Sequence, residues 1–401
     1  MNKRDTKGVI ISVVMLVCIG ILMVYSSTVL MSMRKYGNSF HYLLNHVFTV
    51  FVGIIAMIVL SRLDYQGLRR PLFHIAKFRV SSVHVLMAIA LISLFLVFVP
   101  GVGVSANGAR RWLRLWPTTF QPSEFVKLVM VIFLADYMDK NLHRMKDVRY
   151  GILIPVGVML SFQGVIIFQP DFGAVMSLGI LTIGLMILGG VRLRYIGCML
   201  LLAVPVAYKL AASASYRVKR ITCFTDPWKE PLGCGFQLVQ SFIAFGNGGI
   251  SGLGLGGSKQ KLYFLPEVHT DFIFSLIGEE LGLIGAAAVL VLFLYFFIKG
   301  VKIANKTKDS FGYFLTLGLT LMIGVQVLIN FAVTTGLMPT KGLPLPFISY
   351  GGSSLLINLA AVGILISISR KNESRTESQT PADGFSLHEH YMFNRPQRAR
   401  R

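Results

Sequence analysis

Residues 266–298 read PEVHTDFIFSLIGEELGLIGAAAVLVLFLYFFI. From Leu281 onward the stretch is apolar for about 18 residues, enough for a helix to cross about 30 Å of hydrocarbon. Just ahead of that run stand four carboxylates: Glu267, Asp271, Glu279 and Glu280. An ionised acid in hydrocarbon is costly and normally faces a cavity or a partner. A helix with acids at its mouth therefore implies a membrane fold and a reason to hold negative charge at its edge.

Several similar runs recur along the 401 residues, of which 54% are hydrophobic and only 14% charged. A soluble globular domain carries about a quarter charged residues. Spans are expected near 9–30, 46–62, 83–100, 123–139, 151–168, 173–190, 194–213, 270–298, 311–333 and 351–369. The first is longer than a signal-peptide core and no small-residue cleavage site follows it, so it reads as a span. The fold class expected is an all-α polytopic membrane protein of about ten transmembrane helices. Residues 1–370 form one transmembrane domain with a large extracytoplasmic loop, 214–269, between helices 7 and 8. The polar tail 371–401 is expected to be disordered and cytoplasmic.

The formal net charge of +21 sits mostly in short loops. With the N-terminus inside, loops 62–82, 140–150, 191–194 and 299–310 collect most of the Lys and Arg, placing both termini in the cytoplasm. Nucleic-acid binding is set aside, because no zinc spacing, basic-aromatic stripe or nucleic-acid module is present. Two outer segments break the charge rule. Segment 101–122 holds Arg110, Arg111 and Arg114, and 214–269 holds six cations from Arg217 to Lys261. Lys341 adds a further outer cation in the Pro- and Gly-rich segment 334–350. An anionic ligand on the outer face accounts for such a gathering.

Asp271 lies at the start of the eighth span. Capping a helix N-terminus is the plainest reading of an acid there. On a continuous helix Glu279 lies about 80° round from Asp271 and Glu280 nearly opposite, so one glutamate is expected to be structural. In QPSEFVKL (121–128), Pro122 and Ser123 read as a helix start with Ser123 as N-cap. Glu124 and Lys127 are three apart and can pair on one face. Their functional alternative is that Lys127 lines an outer cavity and meets phosphate, with Glu124 holding it. In ANGARRWLRL (106–115) the Arg pair beside Trp112 either anchors at lipid headgroups or clamps a pyrophosphate, whose oxygens match the guanidinium fork.

Gly252, Gly254 and Gly257 satisfy G-x-G-x-x-G by accident. No strand and helix flank them, so they are not a nucleotide fingerprint but a loop able to lie close to the membrane surface. Cys18 and Cys198 are expected to pack within spans. Cys223 and Cys234 share the long outer loop and pair if that compartment oxidises thiols. Asp171 reads as a helix cap and Asp226 as a turn residue.

Longer motifs carry a resemblance. NGARRWLRL (107–115), FQPSEFVKL (120–128), QPDFG (169–173), FTDPWKEPLGCGFQLVQSFIAFGNGGISGLGLG (224–256), QKLYFLPEVHTDFIFSLIGEELG (260–282) and GLMPTKGLPLPFISYGGSSL (336–355) occur in that order. Over roughly 10–370 the chain resembles the SEDS family (shape, elongation, division and sporulation), most closely its division-type members. The resemblance implies a peptidoglycan glycosyltransferase of the bacterial plasma (inner) membrane, at the division septum. It would polymerise lipid II into β-1,4 glycan strands on the outer face, with a class B penicillin-binding protein (a transpeptidase) and other division proteins as partners. It places the catalytic aspartate at Asp271 and substrate-binding roles at Glu124, Lys127 and Arg111, with Arg110 where the family often has a small residue. Glu267 and His269, beside Asp271 in the same motif, are substrate-binding candidates with them. No cofactor is implied beyond a transient divalent cation such as magnesium beside the pyrophosphate. An elongation-type polymerase, a lipid II flippase and a non-enzymatic division scaffold are the alternatives.

Overall fold

In a computed structural model of the chain, described over residues 3–75, 78–106, 109–115, 118–212, 219, 222–261 and 265–377, the apolar runs fold as hydropathy demands. The helices are α1 (Lys3–Tyr36), α2 (His41–Arg62), α3 (Ser82–Leu96), α4 (Pro122–Asn141), α5 (Ile154–Phe168), α6 (Phe172–Leu188), α7 (Leu193–Ala212), α8 (Phe236–Gly248), α9 (Ile273–Lys306), α10 (Ser310–Thr334) and α11 (Gly352–Glu377). All but α8 coincide with the expected spans. Among the described residues, six are long and apolar enough to cross a membrane by length and composition. The protein is a multi-pass membrane protein.

Helices α4, α10 and α11 form the buried centre, while α2 and most of α9 present apolar surface outward, Phe51 and Leu294 among it. Lipid tails are as apolar as the side chains, so helix association in a bilayer relies on close packing and hydrogen bonds. The contact between α2 and α11 shows this. A Cβ on Gly363 would fall 2.5 Å from the Met57 carbonyl oxygen, so only glycine lets the two backbones approach.

Helix α9 is broken at Gly282, where φ is +66° and ψ −166°. A break in a helix strands backbone groups that need other partners. The segment after α8 supplies partners. Leu253 and Gly254 N–H donate to the Glu279 and Glu280 carbonyls (3.0 Å each), and Leu283 N–H donates to the Gly249 carbonyl (2.9 Å). A Cβ on Gly282 would lie 2.3 Å from Gly252 N, so the fit requires glycine.

Both glutamates hold this segment. Glu279 accepts from the Ser258 hydroxyl and the Lys259 N–H, and Glu280 accepts from Ser26 Oγ (2.7 Å) and pairs with Lys261 (3.2 Å). Each glutamate is 0% exposed. The expectation of one structural glutamate is thus corrected to two, because the loop reaches both faces of the helix. Gly252 is needed for this fit as well: its φ is +79°, and a Cβ there would lie 2.2 Å from the Glu280 carbonyl oxygen.

Five short strands depart from a purely helical chain. β1 (Pro71–Ile75) and β2 (Phe78–Ser81) form a hairpin between α2 and α3, and β3 (Gly103–Ala106), β4 (Ala109–Leu115) and β5 (Thr118–Phe120) form an antiparallel sheet between α3 and α4. The N-terminal residues meet the end of α11, where the Thr6 and Ser369 hydroxyls lie 2.7 Å apart. Asp5 pairs with Lys299 (2.8 Å) and Lys306 near the end of α9. The start of α1 and the end of α11 therefore share one end of the bundle, and Asp271, ahead of α9, stands at the other.

Three further readings are corrected, and one open pairing is seen formed. The N-cap of α4 is Gln121, with Pro122 as the first helical residue, so Ser123 lies inside the helix. Proline is suited to that first position because it lacks an N–H. Cys18 and Cys198 face outward. Helix α11 continues to Glu377, with Lys371 paired to Asp64 (2.7 Å), so the expected tail does not begin at 371. Residues 378–401 lie outside the described residues. The Cys223–Cys234 disulfide is formed, with Cα atoms 5.9 Å apart.

Candidate active site

Asp271 is not part of α9. It sits in a turn one residue before the N-cap, Phe272, so its angular relation to Glu279 on one helix does not hold. The turn is organised by Glu267, whose φ is +53°. That conformation costs a side-chain-bearing residue about 1–2 kcal/mol. It aims the Glu267 carbonyl at the N–H groups of Thr270 and Asp271, both at 3.1 Å. The Thr270 hydroxyl also lies 3.1 Å from the Glu267 carboxylate.

Asp271 opens into a cavity of about 550 Å³ at this end of the bundle. Its walls come from several parts of the chain, Gln237 of α8 among them. The turn gives Glu267, Thr270 and Asp271. The β3–β4–β5 sheet gives Arg111, Trp112 and Thr119. Gln121 and Asp171 stand at helix starts, and the α10–α11 connection gives Thr340, Lys341, Gly342 and Tyr350.

The sheet decides between the two arginines. Successive strand side chains point to opposite faces. Arg111 faces the cavity, and its guanidinium donates to the Gln169 and Pro170 carbonyls at 3.3 and 2.5 Å. Arg110 pairs with Ser105 across the strands and is exposed away from the cavity walls. Three sequence-derived residues, Asp271, Arg111 and Glu267, are thus brought to one cavity.

Glu124 and Lys127 are not among its walls. They form a buried pair at 2.7 Å, with side chains 4% and 5% exposed, one turn along α4 from Gln121. His269 packs with rings instead, its centroid 5.7 Å from Tyr350 and 6.0 Å from Tyr42. Burial holds its imidazole below the ordinary pKa, against the opposing pull of the Glu267 carboxylate. The folded state therefore prefers the neutral ring. Its contribution to stability is complete above the unfolded value of 6.5 and is lost as pH falls through the depressed folded value. The thermal midpoint should drop between about pH 7.5 and 5.5, and drop less in His269→Gln. Equal drops in both proteins would exclude this ring as the cause.

Sequence reasoning missed several wall residues. Lys341 was read only as an outer cation, although PTKG lies within a quoted motif. Asp171 does cap α6, accepting from Ala174 N–H (3.1 Å), but it also accepts from Gln121 Nε2 (2.9 Å) at the cavity edge. Asp226 precedes the short turn Pro227–Lys229, as expected.

The comparisons follow this geometry. Residues 7–374 match the family model of FtsW, RodA and SpoVE, described as cell cycle protein. The chain belongs to the FtsW/RodA/SpoVE family. A Geobacter sulfurreducens relative, named probable peptidoglycan glycosyltransferase FtsW, is 42% identical over 370 residues, covering 92% of this chain and 96% of the relative. Stage V sporulation protein E of Bacillus subtilis is 38% identical, covering 90% and 96%. A family-like fold is seen in a chain from "Structural coordination of polymerization and crosslinking by a peptidoglycan synthase complex", with TM-score 0.71 and 27% identity, covering 91% and 97%. Thermus thermophilus RodA shares the fold at TM-score 0.65 and 23% identity, covering 91% and 96%.

Proposed function

We propose that the chain is a peptidoglycan glycosyltransferase that polymerises lipid II during septal cell-wall synthesis, with Asp271 as general base. The observation that carries the site assignment is one cavity, at the bundle end away from the start of α1 and the end of α11, that holds Asp271 beside the cations Arg111 and Lys341. The positive-inside reading puts that end on the outer face of the plasma membrane.

The reaction joins an acceptor sugar hydroxyl to the anomeric carbon of a donor whose leaving group is a lipid pyrophosphate. The C–O bond to the acceptor forms as the bond to the pyrophosphate breaks, with inversion from α to β. Asp271 takes the hydroxyl proton. One base suffices, because no covalent enzyme intermediate is needed. The departing diphosphate gathers negative charge, which preorganised cations stabilise. Arg111 suits this role, because two of its five donors are fixed on main-chain carbonyls and the rest of the fork remains for phosphate oxygens. The polyprenyl tails stay in the bilayer, which explains a site at the membrane edge. A class B penicillin-binding protein is the partner, crosslinking the strands made here, and the site works at the division septum. A divalent cation such as magnesium would enter only as the counter-ion of the substrate's own diphosphate.

The test is reconstitution in vesicles with lipid II confined to the outer leaflet. Glycan polymer, resolved by length on gels with and without the partner, is expected without any flipping step. No polymer under either condition would overturn the enzymatic reading.

A further inference from the structure

The Asp271 turn is bolted to the α10–α11 connection through three consecutive carbonyls. Tyr350 N–H donates to the His269 carbonyl at 2.9 Å. Ser349 Oγ donates to the Thr270 carbonyl at 2.5 Å. Asn330 Nδ2 donates to the Asp271 carbonyl at 2.8 Å. We propose that Asn330 and Ser349 are positioning residues that hold Asp271 in its reactive place, an inference that rests on the reading of Asp271 as the base.

Neither side chain has this contact by default. Asn330 is 1% exposed on α10, and its amide also donates to the Leu343 carbonyl at 2.8 Å. Both of its N–H groups are thus spent on carbonyls, one on each side of the cavity wall. Its Oδ1 is buried with no partner. Turning the amide over would set that oxygen against two carbonyls, so the two acceptors fix the orientation. An orphaned buried acceptor calls for a reason, and the clamp is one. Ser349 is 2% exposed and also accepts from Leu345 N–H at 2.8 Å, so its hydroxyl ties the connection to itself and to the turn.

The same connection limits the carboxylate. A Cβ on Gly342 would lie 2.8 Å from Asp271 Oδ2, so Gly342 leaves the space that the carboxylate occupies. Main chain and side chain of Asp271 are thus both set by residues 330–350. Holding a catalytic group rigidly avoids the loss of about 10²-fold in rate that follows a misplacement of about 1 Å.

The test uses the full-length protein with its partner and lipid II. Asn330→Asp removes both donors at nearly constant shape, and Ser349→Ala removes one hydroxyl. Each is expected to lower kcat by up to about 10²-fold with KM for lipid II changed by less than about threefold. Ser349→Thr, which keeps the hydroxyl, is expected to restore kcat. Amide exchange at Thr270, Asp271 and Phe272 should quicken in Asn330→Asp and Ser349→Ala, and remain slow in Ser349→Thr. Ser349→Ala keeps the test open if a buried acid at 330 prevents folding. Unaltered kcat in Asn330→Asp and Ser349→Ala, with Asp271→Asn inactive, would overturn the clamp alone. So would losses that track only the folded fraction, without faster exchange. Full activity in Asp271→Asn would overturn the base assignment and the clamp with it.

Discussion

Asp271→Asn is expected to reduce lipid II polymerisation by about 10²–10⁴-fold, the contribution of a well-placed general base. The substitution keeps the side-chain shape, which matters because of the tight approach of Gly342. It also leaves the backbone bonds untouched, since Asn330 holds the main-chain carbonyl of residue 271. Folding, partner binding and the thermal midpoint should therefore stay as they are. Asp271→Glu should lose activity as well, because an added methylene moves the carboxylate by more than about 1 Å, and a misplacement of that size costs about 10²-fold. Purified Asp271→Asn that still made polymer at the normal rate would remove this residue from the chemistry.

The second large effect is on stability. Lys127→Met leaves Glu124 buried without its partner, and breaking a buried ion pair costs about 3–5 kcal/mol. The side chains are only 5% and 4% exposed, so water cannot compensate. Replacing both members, as Glu124→Gln with Lys127→Met, should recover most of that loss. Thermal unfolding of Lys127→Met, Glu124→Gln and the double variant in detergent measures the cycle, and a Lys127→Met protein as stable as the unaltered one would refute the energetic claim. Polymerisation by the double variant then separates two roles. If it is folded and active, the pair is scaffold beneath the cavity. If it is folded and inactive, Lys127 makes the phosphate contact implied by the family resemblance.

Much of the fold was legible because a bilayer imposes one length on every span. Runs such as 311–333 announce themselves by hydropathy, and α10 (Ser310–Thr334) begins and ends within one residue of it. Segments outside hydrocarbon carry no such ruler. The strands of 103–120 are three to seven residues long, too short for alternation to stand out. Helix α8 is amphipathic over only 13 residues and was passed over as loop.

At the site, the outer cations point to an anionic ligand, but the singling out of Asp271 and Arg111 rests on the family resemblance: charge alone leaves Asp271 a helix cap and the arginine pair undecided. Asn330 and Ser349 were not singled out. A neutral polar residue in or beside a span has many uses, and only the folded chain shows that these two face the carbonyls of residues 270 and 271. Glu124 and Lys127 were legible as a pair from their spacing, but spacing says nothing of depth. The orientation of Arg110 and Arg111 required the strand, which the sequence reading did not supply.

The gap at Gly282 also bears on how the protein is made. Beyond it, residues 283–306 form a helix of about 36 Å, enough to cross about 30 Å of hydrocarbon. The insertion machinery can therefore thread a complete span without drawing Glu279 or Glu280 through oil. Ser26, translated 254 residues before Glu280, must already be in place to receive one of them. Closing the rim of that gap joins the first helix to the ninth across 254 residues of chain.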